Sequence, residues 1–190
     1  LGVFALLSLG VLGSGCGGGG TGTNWFGSQC SSAVQGATVQ GGDFRGCILN
    51  GDDLSETDFT SADFEGAELN AASFWIGTYG AILEGTQFNN VSANSVDFTN
   101  AYMEGADFRP LPHQVGNTYG GYTDLQWAVF DGADLSEARM NGADLRGATF
   151  LLTTNGPADL SCANLRGAKL QNVKFSGAKL EGADLTDAVF

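Results

Sequence analysis

The chain has 190 residues, a net charge of −13 and a sequence pI of about 4.1, a length that suits one sizeable domain better than two. Thirty glycines and only 15% charged residues would fit a flexible polymer, but a 43% hydrophobic content with thirteen phenylalanines calls for a core. With 21 acidic residues against 8 basic ones, non-specific nucleic-acid binding, which needs cations to displace counterions, is excluded, whereas a basic partner or plain solubility suits the charge.

Residues 1–16, LGVFALLSLGVLGSGC, form an apolar run that closes on small residues and a cysteine. About a dozen apolar residues fall short of the ~20 that cross a bilayer, so the run reads as the apolar region and cleavage site of a secretory signal. It resembles a bacterial lipoprotein signal, in which a Cys after a small residue becomes the lipidated N-terminus. The resemblance implies a lipid on Cys16, attachment to the membrane through it, and a periplasmic or surface location in the bacterial cell envelope. Gly13 departs from that pattern, the usual aliphatic residue being Leu12 one place earlier, and with no Met and no basic stretch the chain is expected to lack its natural start. Residues 17–36 read as a Gly-rich linker and an N-terminal cap around Trp25, Phe26 and Cys30. Gly17 to Gly20 do not make a phosphate-binding loop, because no Lys-Ser or Lys-Thr follows and no strand precedes them.

From residue 37 to 190 a large apolar residue returns every fifth place, with a small one two places before it. The stretch GADLSEARMNGADLRGATF, residues 132–150, carries the pattern most clearly: Leu135, Met140, Leu145 and Phe150 follow Ala133, Ala138, Ala143 and Ala148. A period of five fits neither an α-helix at 3.6 nor a strand at 2.0, so it marks a stacking repeat. Earlier in the chain the series runs Val39, Phe44, Leu49, Leu54, Phe59, Phe64, Leu69, Phe74; the small positions before these include Cys47 and, exceptionally, Asp52. The phase slips at residues 75–80, WIGTYG, resumes at Leu83, breaks again at residues 109–122, RPLPHQVGNTYGGY, and from Leu125 holds to Phe190.

The units ADFEG, AELNA, DFTNA, ADLSE, ADLRG, ANLRG, AKLEG and ADLTD resemble the pentapeptide repeat family, whose motif is A(D/N)LXX, over most of residues 37–190. The resemblance implies an all-β fold, a right-handed quadrilateral β-helix with four pentapeptides to a coil. Ordering five residues costs on the order of 5–10 kcal/mol, while burying one Leu or Phe returns ~1.5–3 kcal/mol, so a repeat stands only by stacking on others.

With four repeats to a coil, residues twenty apart should lie above one another. That predicts inward columns Leu125, Leu145, Leu165, Leu185 and Phe130, Phe150, Leu170, Phe190, an outer column Asp124, Asp144, Asn164, Asp184, Arg146 beneath Arg166, and an alternating ladder Arg139, Asp159, Lys179. The acidic column reads as backbone-capping carboxylates at the corners, with a calcium site as the alternative. Asp52, at a small inward place, should turn its face outward or meet backbone donors, and Asn155, amid TTNGP, should mark a local bulge.

One histidine and no repeated acid–base pair leave no cofactor, no metal centre and no enzyme to propose. The interruptions are the candidate partner-binding sites: Arg109, His113, Tyr119 and Tyr122 in the longer, Trp75 and Tyr79 in the shorter. Six repeats separate the two, so they should leave the coil from opposite sides. Cys47 either packs inward or pairs with Cys30 in an oxidising compartment. The preferred reading is an exported, lipid-anchored, non-enzymatic scaffold that binds a protein or envelope component without touching nucleic acid. The open last coil invites a second copy, making a homodimer, unless the natural chain continues. The alternative, implied by the resemblance, is a cytoplasmic acidic DNA mimic that binds DNA gyrase. The run of acids from Asp52 to Glu68 and the mixed charges after Arg139 argue against it, because a mimic should be acidic along its length.

Overall fold

The computed structural model describes residues 38–76, 79–110 and 123–190. The signal-like run with Cys16, the cap with Cys30, and His113, Tyr119 and Tyr122 lie outside the described residues.

Each five-residue unit places a small residue inward, the next outward and the third, large one inward, and then turns a corner. The turn is closed by the N–H of the next unit's first residue donating to the carbonyl of the large residue, as from Ala62 to Phe59 at 2.8 Å and from Ala143 to Met140 at 3.1 Å. The residue before that donor has positive φ, +69° at Gly66 and +76° at Gly142, as the third place of a type II turn requires. Glycine therefore recurs in the sequence at the fifth place, although Glu56, Glu137 and Trp127 also adopt φ near +60° there.

The outward residue of each unit bridges in parallel to its counterpart one coil on, which assembles a right-handed quadrilateral β-helix. Face 1 carries Thr38, Asp58, Ile82, Tyr102, Asp134, Asp159 and Lys179; face 2 begins at Asp43, face 3 at Ile48 and face 4 at Asp53. Among the described residues these give six full coils and three faces of a seventh. Inside, all the buried phenylalanines but Phe59, which lies behind face 1, occupy two opposite faces. Phe44, Phe64, Phe88 and Phe108 stack behind face 2 at centroid separations of 4.9, 5.3 and 4.8 Å. Phe74, Phe98, Phe130, Phe150 and Phe175 stack behind face 4 at 4.8, 5.2, 5.0 and 5.1 Å. These separations match the ~4.8 Å spacing of neighbouring strands, so backbone ladder and ring stack share one repeat. Where Ala93 replaces the large residue on face 3, Val91 and Val96 occupy the neighbouring small places and are themselves buried.

Three coils are longer than twenty residues, and each excess leaves at a corner. Asp58 bridges to Ile82, four residues late, because β1 (Trp75–Ile76) and β2 (Tyr79–Gly80) form an antiparallel hairpin between faces 4 and 1. Ser92 bridges to Asp124, twelve late, across the interruption between faces 2 and 3. The two interruptions thus depart from diagonally opposed corners, as their spacing predicts. The third excess is five residues, Asp134 bridging to Asp159, and lies between faces 4 and 1 at residues 151–157.

This third excess overturns the twenty-residue columns below Phe150. One full repeat length preserves the five-residue phase while rotating every later unit by one face. The inward neighbours of Leu145 are consequently Leu125 and Leu170, not Leu165: Leu125 N–H donates to the Asp144 carbonyl at 2.8 Å and Leu145 N–H to the Lys169 carbonyl at 3.0 Å. For the same reason Phe150 stacks on Phe175 rather than Leu170, Asp144 lies against Lys169 rather than Asn164, and Arg146 neighbours Gln171 rather than Arg166. The expected ladder splits: Lys179 does bind Asp159 at 2.8 Å, but Arg139 belongs to face 2 and approaches Asp107 at 3.8 Å. Asn155 is exposed in the bulge, where its N–H donates to Thr153 Oγ1. The Asp52 side chain reaches solvent while its main chain stays in the ladder, so no bare carboxylate is buried.

Candidate functional site

The long interruption is rooted in a buried polar network at the corner between faces 2 and 3. Asn89 Nδ2 donates to Asp107 Oδ1 and to the Arg109 carbonyl, each at 3.0 Å, and the Asn90 N–H donates to Thr123 Oγ1 at 3.0 Å. Asn89, Asn90, Asp107 and Thr123 are all buried, so both stems of the interruption are fixed to the coil above by satisfied hydrogen bonds. Arg109 grips Asp107 through Nε and Nη2, the shortest contact 2.6 Å. Burial would raise the Asp107 carboxyl, but the Arg109 hydrogen bonds and charge outweigh it and hold the group below its ordinary range. Arg109 is thus a stem residue committed to an ion pair.

At the opposite corner, Ser73 Oγ donates to the Trp75 carbonyl at 2.8 Å, and Trp75 is half-buried with its indole N–H enclosed and unpartnered. Tyr79 pairs through its backbone with Ile76. Gly80 closes the hairpin because its Cα rests on the next coil: a Cβ there would stand 2.4 Å from the backbone of Asn100 and Ala101. The bulge at 151–157 occupies the same corner three coils on, tied to it by the Thr153 hydroxyl, which donates to Asn100 Oδ1 at 2.9 Å. The fold therefore brings Trp75 and Tyr79 together and sets Arg109 on the far side of the rod.

The outward carboxylates have a local role. Asp53, Asp58, Asp63, Asp97, Asp134 and Asp159 each accept, through Oδ1, the N–H two residues on, between 2.9 and 3.1 Å. This is the backbone-capping reading of the acidic columns. Among the described residues no group of three or more His, Cys, Asp or Glu could hold a metal ion. Cys47 is buried and disulfide-bonded; Cys30, its expected partner, lies outside the described residues, and Cys162 is a free, exposed thiol.

Charge is sorted around the axis. On faces 2 and 3 and their corners the cations meet acids: Arg45 with Asp43, Arg109 and Arg139 with Asp107, Arg146 and Lys169 with Asp144, Arg166 with Asp187. Asp144 is 1% exposed; burial would raise its carboxyl, but hydrogen bonds from Arg146 and Lys169 prevail and lower it. Among the described residues, face 1 and the corner after it hold Asp58, Glu84, Glu104, Asp134, Glu137, Asp159 and Glu181 against Lys179 alone. Acidity therefore runs from the second coil to the seventh on one side, although along the chain it looks confined to the early repeats. Face 1 also exposes Ile82 and Tyr102, residues that sequence reasoning passed over. The available signal was an apolar side chain at the second motif place, where the neighbouring units carry a polar one, Ser73 and Gln87 beside Ile82 and Asp97 and Asp107 beside Tyr102.

A family model described as pentapeptide repeats, in eight copies, matches residues 79–109, 122–151 and 158–190; a second, also described as pentapeptide repeats and in nine copies, matches residues 35–75. The chain belongs to the pentapeptide repeat family. Among solved structures it is similar to a pentapeptide repeat protein from the cyanobacterium Cyanothece 51142, at 18% identity over 82% of this chain and 89% of that one, with a TM-score of 0.34. It is also similar to HetL of Nostoc sp. strain PCC 7120, involved in heterocyst differentiation regulation, at 26% identity over 82% and 85%, with a TM-score of 0.26. A third similar structure is QnrB1, a plasmid-mediated fluoroquinolone resistance protein, at 19% identity over 82% of each chain, with a TM-score of 0.28. No curated protein matches the chain significantly.

Proposed function

We propose that this protein is an exported, lipid-anchored, non-enzymatic scaffold of the bacterial cell envelope that binds a protein or envelope component. The observation that carries the reading is the rooting of residues 109–122. A coil that continues its ladder on both sides of a twelve-residue excess, with buried Asn89, Asn90, Asp107 and Thr123 spent on its stems, is a rigid frame for a displayed segment. His113, Tyr119 and Tyr122 supply the contact chemistry, with Arg109 holding the stem, and Trp75 and Tyr79 provide a second contact at the diagonal corner. Deleting residues 110–121 removes the whole excess and restores a twenty-residue coil. The shortened protein should keep its stability and lose its partner in affinity capture; a deletion variant that fails to fold would show the segment to be structural.

Lipid on Cys16 is tested by metabolic labelling, in which a radiolabelled fatty acid should enter the wild type and not Cys16→Ser. A second reading, the cytoplasmic DNA mimic that binds gyrase, draws support from the unbroken acidity of face 1. An unlabelled, cytoplasmic product would favour it over the envelope scaffold.

A further inference from the structure

We propose that face 1 is a second docking surface, independent of the interruption at 109–122, which takes a basic segment of a partner protein that also carries apolar side chains. Ile82 and Tyr102, in adjacent coils, are 38% and 46% exposed and form an apolar step beside the hairpin. Along the corner of the same face run Glu84, Glu104 and Glu137, one per coil in three successive coils, all exposed and none in an ion pair among the described residues. Like charges on neighbouring strands repel. On faces 2 and 3 that repulsion is relieved by the chain's own arginines and by Lys169, whereas here relief must come from outside.

The pairing of chemistries selects the occupant. Nucleic acid and anionic lipid surfaces are repelled by the carboxylate row. A purely cationic ligand would leave Ile82 and Tyr102 in water. Added strands are excluded as well, because the backbone N–H groups of Ile82, Leu83, Tyr102, Met103, Asp134 and Leu135 are already committed to neighbouring coils. A segment lying across the strands fits, its Lys or Arg side chains on the glutamates and an aliphatic or aromatic side chain against Tyr102.

The test uses the whole protein and two synthetic peptides of equal charge, one alternating lysine with valine and one alternating lysine with glycine, followed by fluorescence anisotropy. The lysine–valine peptide should bind about tenfold more tightly than the lysine–glycine peptide, a difference of about 1.4 kcal/mol. Tyr102→Ser should abolish that preference. Glu84→Gln/Glu104→Gln/Glu137→Gln should weaken both peptides by about tenfold or more. A control that removes three charges on and beside face 3, Asp52→Asn/Glu68→Gln/Asp187→Asn, should leave binding within about twofold. Unchanged urea midpoints would certify that the variants are folded. Equal loss in the control, no preference for the valine peptide, or no binding at all would each overturn the proposal.

Discussion

Truncating Phe98 to alanine tests whether the aromatic stack holds the rod together. Phe98 lies face to face with Phe74 at 4.8 Å and Phe130 at 5.2 Å, and meets Phe88 and Phe108 edge-on at 5.5 and 6.1 Å. It is fully buried, and a close-packed parallel ladder on all sides gives the surroundings little freedom to collapse. Phe98→Ala should therefore cost about 3–5 kcal/mol. Phe175 stacks on Phe150 alone, at 5.1 Å, and is only partly buried, so Phe175→Ala should cost roughly half as much. In urea unfolding followed by circular dichroism, an m-value of ~2 kcal/mol/M turns the Phe98 cost into a midpoint shift of about 1.5–2.5 M. A solenoid is coupled only through neighbouring coils, so a void in mid-rod should also separate the circular dichroism and tryptophan fluorescence transitions, which should coincide in the wild type. A Phe98→Ala cost below ~1 kcal/mol, or one equal to that of Phe175→Ala, would refute the argument from stacking.

Leu145→Ala should cost ~2–5 kcal/mol, and in double-mutant cycles it should couple to Leu170→Ala by at least ~0.5 kcal/mol while adding independently to Leu165→Ala. The reverse result would restore the twenty-residue columns. The indole of Trp127 lies over Gly147, whose φ is +74°, and a Cβ there would come within 2.3 Å of the ring. Gly147→Ala should therefore be strongly destabilising, and in the Trp127→Ala background its cost should fall to the backbone share of ~1–2 kcal/mol, read from thermal melts of the four proteins. Asp144 has a folded-state pKa below its unfolded value, so its contribution is present above about pH 4 and is lost as pH falls through the lowered value. Asp144→Asn should cost roughly 1–3 kcal/mol at pH 7, a difference that shrinks toward pH 2 in urea titrations at each pH. A gap that persists unchanged at pH 2 would mean the charge contributes nothing.

Inward and outward places were legible because a five-residue unit admits one assignment, and among the described residues burial bears it out from Phe44 to Phe150, Asp52 excepted, and again from Ala158 to Leu170. Which face each unit occupies was legible only while inserted lengths changed the phase. The four-residue hairpin and the twelve-residue interruption both did. The five-residue bulge at 151–157 did not, since an insertion as long as the repeat turns all later units by one face without leaving a mark in the spacing. That hidden rotation moved Leu165 away from Leu145 and placed Lys169 on Asp144. Face 1 was missed for a different reason: Ile82, Tyr102, Glu84 and Glu137 are far apart in the chain, and only face assignment gathers them. Arg109 was picked as a contact residue for its position in the interruption, but its commitment to Asp107 depends on a buried geometry that spacing does not reveal.

Because every extra residue is expelled at a corner and the ladder resumes in register, the rod is divided into fixed text and open margins. Its four sides resist insertion, while its edges accept four, five or twelve residues without disturbing the lines above and below. Margins on diagonal edges face away from each other, so a molecule held at the hairpin and another held at the long interruption would be kept apart by the full width of the coil. A change of cargo at one edge can then arise without renegotiating the other.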